Sequence, residues 1–353
     1  MIIYSLSFLI VNESAKKMII GIIKETSPHE TRTCLTPQTA EKLIKVGFSV
    51  KIEQNIGLKS CFRNSEYVAS GVEILTSPEE VLKKCDIWLT VNTPDIKFAK
   101  LLKNNSLIIG NLQNDIIKKF LPLLNSRNIK CLALNQIPRL SKAQGFDILS
   151  SQNNLSGYQS IFKAARFLPS TLPLMITSAG TLAPAKILII GVGVAGLQAI
   201  ATAKRLGAKV YAYDINQEVK EQAESVGAKF INDFHSVLNE VNIIITAVTP
   251  AHSAAPKIIT ADILESLPDH CVLIDLASAQ GGNIENSADQ KITRCQNCII
   301  YGDSALSREI PHAASTLLAN NFYNFLMYIF DQEKQQIKLN SNDEIIQSVI
   351  MKG

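Results

Sequence analysis

The side chains best placed to do chemistry fall in two stretches, RLSKAQGFDILSS at 139–151 and ILIIGVGVAGLQAIATAKRLGAKVYAYD at 187–214. The second runs from an apolar strand into Gly191-x-Gly193-x-x-Gly196, then a helical segment, then a strand ending in Asp214. In such a unit the first glycine permits a tight turn, the second lets backbone N–H groups approach a pyrophosphate, and the third permits close helix–strand packing. The phosphates sit at the positive end of the helix, and the acid at the next strand tip binds ribose hydroxyls. Gly191, Gly193, Val194, Ala195, Gly196, Asp214 and Ile215 are therefore candidate cofactor contacts. A carboxylate at 214 repels a 2′-phosphate, and Ile215-Asn216 supply no arginine to offset it, so NAD(H) is expected over NADP(H). The first stretch gathers Arg139, Gln144, Asp147 and the Ser150–Ser151 pair. By residue type it has two accounts. It is part of a binding site, or Arg139 and Asp147 form an ion pair between domains and Ser150 caps the helix that follows.

Holding these groups in place requires a scaffold. Up to residue 136, MIIGIIKE, FSVKIEQN, DIWLTVN, NSLIIGN and IKCLALN alternate with helical stretches such as TPQTAEKLIKVG and SPEEVLKKC. KILIIGV, KVYAYD, NIIITAV, CVLIDLA and NCIIYGD begin a second alternation. This pattern implies parallel strands covered by helices on both faces. The expected fold is α/β: two doubly wound Rossmann-like domains with a cleft between them, joined by long helices. Residues 18–150 with 312–330 are expected to form the first domain, and 151–311 the NAD-binding one. QNNLSGYQSIFKAARFL (152–168) reads as a connecting helix, PSTLPLMITSAGTLAPA as a proline-rich hinge or loop, and ASTLLANNFYNFLMYIF as a helix returning to the first domain. Residues 1–17 read as an extension outside the core. Residues 331–353, rich in Asn, Gln and Lys, read as a tail.

Composition narrows the function classes. A chain of 353 residues, 46% hydrophobic and 19% charged, can support two cores. The net charge of +4 and pI of about 8.6 come from singly scattered residues, without a basic stripe or aromatic–basic interleaving, which argues against nucleic acid. Seven cysteines, an odd number, read as buried thiols in a reducing compartment. Cys295 and Cys298 lack the second pair that a zinc site needs, so no metal is expected. The apolar run at the start has no basic residue before it and no cleavage site after it. It is too short to span a bilayer, which takes about 20 apolar residues. No other stretch qualifies, and the chain is expected to be soluble on its own.

Four stretches together resemble the alanine dehydrogenase and nicotinamide nucleotide transhydrogenase family: GIIKETSPHETRTCLTP, PAKILIIGVGVAGLQAI, DLASAQGGNIE and RLSKAQGFDILSS. The resemblance extends from about Met18 to Phe330. Two branches of that family demand different chemistry. An alanine dehydrogenase reduces an imine and needs proton-transfer groups facing its substrate. That branch carries a lysine in a K-V-K-E-P stretch and a histidine one strand later. Here the stretch is LTVNTP, with Asn92 at the lysine position, and no histidine occurs between His29 and His235. Hydride transfer between two nicotinamides asks only for orientation and water exclusion. The resemblance implies that Arg139, Gln144, Asp147 and Ser150 form the catalytic set, holding the nicotinamide end and its ribose–phosphate. Gln280 and Gly281, in the turn Gln280-Gly281-Gly282-Asn283, would add cofactor contacts. Arg32 also matches the family, although an arginine at a domain surface is common for structural reasons.

Two departures stand out. Transhydrogenases carry an insertion, with a tyrosine near its tip, that closes over nucleotide; here AKFINDFHSVLNEVNIIITAV connects those elements directly. AVTPAHSAAPK lacks a basic residue of the family and carries His252, read as a surface loop residue. The resemblance implies the NAD(H)-binding subunit of a Re/Si-specific, proton-translocating NAD(P) transhydrogenase. Such a subunit would form a homodimer on the cytoplasmic face of the inner membrane. It would pass hydride from NADH to NADP⁺ held on a partner NADP-binding subunit, alongside a membrane-embedded subunit. The rival readings are an NAD-dependent alanine dehydrogenase, and a non-catalytic NAD-binding subunit that lacks the lid.

Overall fold

A computed structural model describes residues 17–250, 253–295 and 298–351. Residues 1–16 of the N-terminal extension, and His252, lie outside the described residues. The chain divides into two units, Met1–Ile148 with Ser315–Gly353, and Leu149–Ala314. The helices used below are α1 (Pro37–Val46), α2 (Ile148–Phe167), α3 (Val194–Arg205), α4 (Pro311–Ile329) and α5 (Glu344–Val349).

In the first unit the strands are β1 (Ile19–Ile22), β2 (Ser49–Glu53), β3 (Glu73–Leu75), β4 (Ile87–Thr90), β5 (Leu107–Gly110) and β6 (Lys130–Ala133). They form one sheet in the order β3-β2-β1-β4-β5-β6, every pairing parallel. β4 and β5 are buried at every position, as apolar parallel strands covered on both faces should be. Trp88, the chain's one tryptophan, lies in β4 and is buried. α1 shows local sequence setting local structure. Thr36 and Thr39 cap its first turn reciprocally, Pro37 suits the first helical position, and Gly47 ends it at φ 119°.

In the second unit α2 is followed by a two-stranded hairpin, β7 (Met175–Thr177) and β8 (Gly180–Leu182). Its main strands are β9 (Lys186–Ile190), β10 (Lys209–Tyr213), β11 (Lys229–Phe230), β12 (Ile243–Thr246), β13 (Val272–Asp275), β14 (Lys291–Cys295) and β15 (Cys298–Gly302). The sheet order is β11-β10-β9-β12-β13-β15-β14, parallel except for the edge strand β14. Each sheet reverses its strand order beside its first central strand, at β1/β4 and at β9/β12. Ligands of doubly wound folds bind outside the carboxyl ends of the strands at such a point.

Two expectations are corrected. The stretch expected as a hinge or loop is the β7–β8 hairpin, whose side chains are exposed along both strands. The stretch 331–353, expected as a tail, is built into the fold over its described residues, 331–351. Phe330–Asp331 pairs with Gln336–Ile337, and α5 is capped by Asp343. Ile345, Ile346 and Val349 are buried in the first unit's core, and the Met351 N–H donates to the Cys131 carbonyl at 3.0 Å. These apolar residues share one helical face, which the surrounding Asn, Gln and Lys mask in composition.

Candidate functional site

The glycine loop lies at the carboxyl end of β9, and its three glycines do different work. Gly191 sits at φ 92°, and a Cβ there would meet the Ala247 carbonyl at 2.8 Å. At Gly196 a Cβ would fall 1.9 Å from the Gly191 carbonyl, so α3 packs against the turn only because position 196 is bare. Gly193 has nothing within 4 Å of an added Cβ and is exposed, leaving room for a ligand at the start of α3. Asp214 closes the unit. Its carboxylate accepts from the Val192 N–H at 2.7 Å and from the Asn216 N–H at 2.9 Å. That fixes the acid beside the loop while leaving each oxygen a further lone pair. Val194 and Ile215 are exposed on either side. Ala195 turns its carbonyl toward α2, where a Cβ on Gly157 would lie 2.0 Å from it. Nothing local in the sequence singles out Gly157.

The Gln280–Asn283 turn is tied to the segment that follows β12. Asn283, fully buried, accepts from the Val248 N–H at 3.0 Å and donates to the Val248 and Pro256 carbonyls at 2.9 and 3.0 Å. Lys257 donates to the Gly281 and Ile284 carbonyls, at 2.7 and 3.0 Å. Asp275 is buried beneath the turn and accepts from the Ala277 N–H at 2.9 Å. Its Oδ2 lies 2.6 Å from where a Gly282 Cβ would be. Gln280 is exposed and uses its carbonyl to hold the Ala255 N–H.

The 139–151 run begins in the first unit. Ser141–Phe146 forms a 3₁₀ turn, and α2 starts at Ile148. Ala143 and Phe146 are buried, Phe146 against Phe325 and Tyr328 of α4. Asn321 and Asn324 donate to the Gly145 carbonyl at 3.0 and 2.8 Å. This anchoring leaves Arg139 and Gln144 exposed and Asp147 and Ser150 half-buried. Ser150 falls within the first turn of α2, not at its cap, so the capping account is withdrawn.

A second polar cluster sits at the β1/β4 switch point. The Arg32 side chain, 8% exposed, pairs with Glu30, its Nε 2.7 Å from Oε1 and one terminal nitrogen 2.8 Å from Oε2. It is therefore not a surface arginine. Asn92 donates to Glu30 at 2.8 Å and to Glu25 at 3.4 Å. Burial alone would raise the Glu30 carboxyl, but the bonds and charge of Arg32, with Asn92, bring it down to about 2. Burial pushes Glu25 up to about 7 against the N–H groups of Val91 and Asn92, and the nearby Glu30 charge adds to the rise. Sequence reasoning found no proton-active group near Asn92 and missed Glu25, whose surroundings are assembled from residues more than sixty positions away.

Residues 21–156 match the family described as alanine dehydrogenase/PNT, N-terminal domain, and residues 160–352 match alanine dehydrogenase/PNT, C-terminal domain. The chain belongs to the alanine dehydrogenase/PNT family. The first of the polypeptides that make up NAD(P) transhydrogenase subunit alpha in Rickettsia prowazekii (strain Madrid E) is 35% identical, with 95% of this chain and 94% of that protein covered. The protein of the same name from Rhodospirillum rubrum is 33% identical, over 93% and 94%. A solved transhydrogenase structure from Sinorhizobium meliloti, 35% identical, superposes with a TM-score of 0.84 over 88% of this chain and 93% of that one. Membership in this oxidoreductase family implies NAD(H) binding. Among the described residues, no helix of this alanine dehydrogenase/PNT protein is long and apolar enough to cross a membrane.

Proposed function

We propose that this chain is the NAD(H)-binding subunit of a proton-translocating NAD(P) transhydrogenase. It passes hydride from NADH to NADP⁺ held on a partner subunit, while a membrane-embedded partner carries the protons. The observation that carries the reading is Asp214, bonded to the Val192 N–H at 2.7 Å beside the exposed Gly193. In this reading the backbone at Gly193 and Val194 takes the pyrophosphate, with Ala195 and Gly196 shaping the turn. Asp214 takes the ribose hydroxyls and disfavours a 2′-phosphate, with Ile215 alongside. Gln280 and Gly281 border the cofactor. Arg139, Gln144, Asp147 and Ser150 position the nicotinamide and its ribose–phosphate. Orientation in a water-poor site is what such a hydride transfer requires of them.

The chain mixed with an NADP-binding partner domain is expected to reduce an NADP analogue at the expense of NADH. No transfer at saturating nucleotide sinks the reading. NAD(H) binding without transfer points instead to a non-catalytic subunit, in keeping with the direct connection between Phe230 and Ile243. One feature favours an amino-acid dehydrogenase as the second reading: burial pushes the Glu25 carboxyl up to about 7, a value suited to proton transfer at neutral pH. Alanine-dependent NADH formation by the chain alone would establish it.

Dimerisation and attachment to the cytoplasmic face of the inner membrane belong to the same proposal. The β7–β8 hairpin supports a homodimer. Met175, Ile176 and Leu182 are exposed on it, Ile176 at 75%, with Leu174 exposed just before it. An isolated two-stranded hairpin is marginal in water and gains from burial against a second copy. Ile176→Asp with Met175→Lys should shift the mass measured by light scattering from dimer to monomer.

A further inference from the structure

We propose that Glu25 is a proton-carrying latch joining the carboxyl ends of β1 and β4, closed while its carboxyl is protonated and loosened when the proton leaves. The inference rests on the first unit alone and does not depend on the transhydrogenase reading. Glu25 lies just beyond β1. Its Oε1 accepts from the Val91 N–H at 2.7 Å, and its Oε2 accepts from the Asn92 N–H at 3.2 Å. Thr90 Oγ1 stands 3.1 Å from Glu25 Oε1 and 2.7 Å from the Asn92 carbonyl. The threonine has one hydroxyl proton for these two oxygens. A carbonyl and a bare carboxylate both only accept, so one proton cannot serve both fully. A protonated Glu25 relieves the competition by donating to the threonine oxygen and leaving the threonine proton to the nearer Asn92 carbonyl.

The charges around Glu25 lead to the same assignment. From its own loop Glu30 faces it, with Arg32 already committed to Glu30 by two bonds. The Cys34 thiol behind is fully buried and pushed up, and so uncharged. From the end of β4 come Thr90, Val91 and Asn92, which carry no charge. Lys24 turns to Glu53 at 2.8 Å, and the Lys59 ammonium is bonded to the Pro28 and Glu30 carbonyls at 2.9 and 3.1 Å. Two carboxyls thus share one cation, and that cation is bound to Glu30. A single amide nitrogen of Asn92 reaches both carboxyls. Ionising Glu25 places two negative charges across that one amide, in surroundings where burial strengthens their repulsion.

The sign of the pH dependence follows. Glu25 holds its proton in the fold up to about 7, whereas the unfolded chain releases it near the ordinary 4.5. Its contribution to stability is therefore full in acid and lost as pH rises through that window.

Carboxyl NMR of the full chain, ¹³C-labelled at glutamate, should show a resonance titrating near 7 that is absent from Glu25→Gln. Hydrogen-exchange protection of peptides covering 23–32 and 90–95, corrected for intrinsic rates, should fall several-fold from pH 6 to pH 8. In Glu25→Gln, which has no carboxyl to titrate and whose NH2 gives up one of the two backbone N–H bonds, it should start lower but stay level with pH. If every glutamate titrates in the ordinary range, or the loss of protection persists in the variant, the latch is overturned. Should Glu25→Gln fail to fold, Asn92→Asp gives a second arm. A third carboxylate there should move the native midpoint higher, and an unmoved midpoint overturns the proposal.

Discussion

The two units of this chain share a strand order around their first central strand, yet treat the carboxyl end of that strand in opposite ways. At β9 the chain turns at once through glycines and leaves Gly193 open. At β1 it leaves on a long loop whose Glu25, Glu30 and Arg32 fill the corresponding place, with Asn92 bonding to both glutamates from the end of β4. The comparison teaches that a switch point is only an opportunity. A ligand site appears there when backbone N–H groups are left exposed, and a polar plug appears when side chains consume them.

The largest effect that sharpens this contrast is expected at Gly196. Gly196→Val forces atoms onto the Gly191 carbonyl and should cost the second unit about 3 kcal/mol or more, seen as early loss of NADH binding on heating. Next comes Asp214→Ala, expected to weaken NADH binding by about 10- to 100-fold in calorimetric titration. Native chain that bound NADPH as tightly as NADH would break the assignment of the open end to NAD(H). In the first unit Asn92→Leu should cost about 1–3 kcal/mol of stability in urea unfolding and leave NADH affinity unchanged, because its amide serves the plug alone. Stability from the Glu30–Arg32 pair should be present above the ordinary carboxyl value and be lost as pH falls from about 4.5 toward 2, opposite in slope to Glu25. Urea unfolding of native and Glu30→Gln chains across that range checks the sign. The smallest structural effect is expected at Gly193→Ala, within about 1 kcal/mol in stability, since its Cβ meets nothing. Its NADH affinity should nonetheless drop.

The parts of this architecture that were legible in the sequence are those encoded locally. The glycine spacing, the acid one strand later and the apolar strand runs each act over a few residues. β3 and β11 escaped notice because each is only two or three residues long at a sheet edge. The β7–β8 hairpin escaped because its apolar side chains face outward, and the patterns used to find strands assume burial on one face. The C-terminal segment escaped because composition averaged three buried residues away. Glu25 was illegible for a different reason. Its proton depends on Val91, Asn92 and Thr90, which only the pairing of β1 with β4 brings to it.

Trp88 has a practical consequence. Being the only indole in the chain, and buried in β4, it makes ultraviolet emission a reporter private to the first unit. Nicotinamide fluorescence would report on the second. The two optical channels let the melting of each unit be followed in one cuvette, without labels.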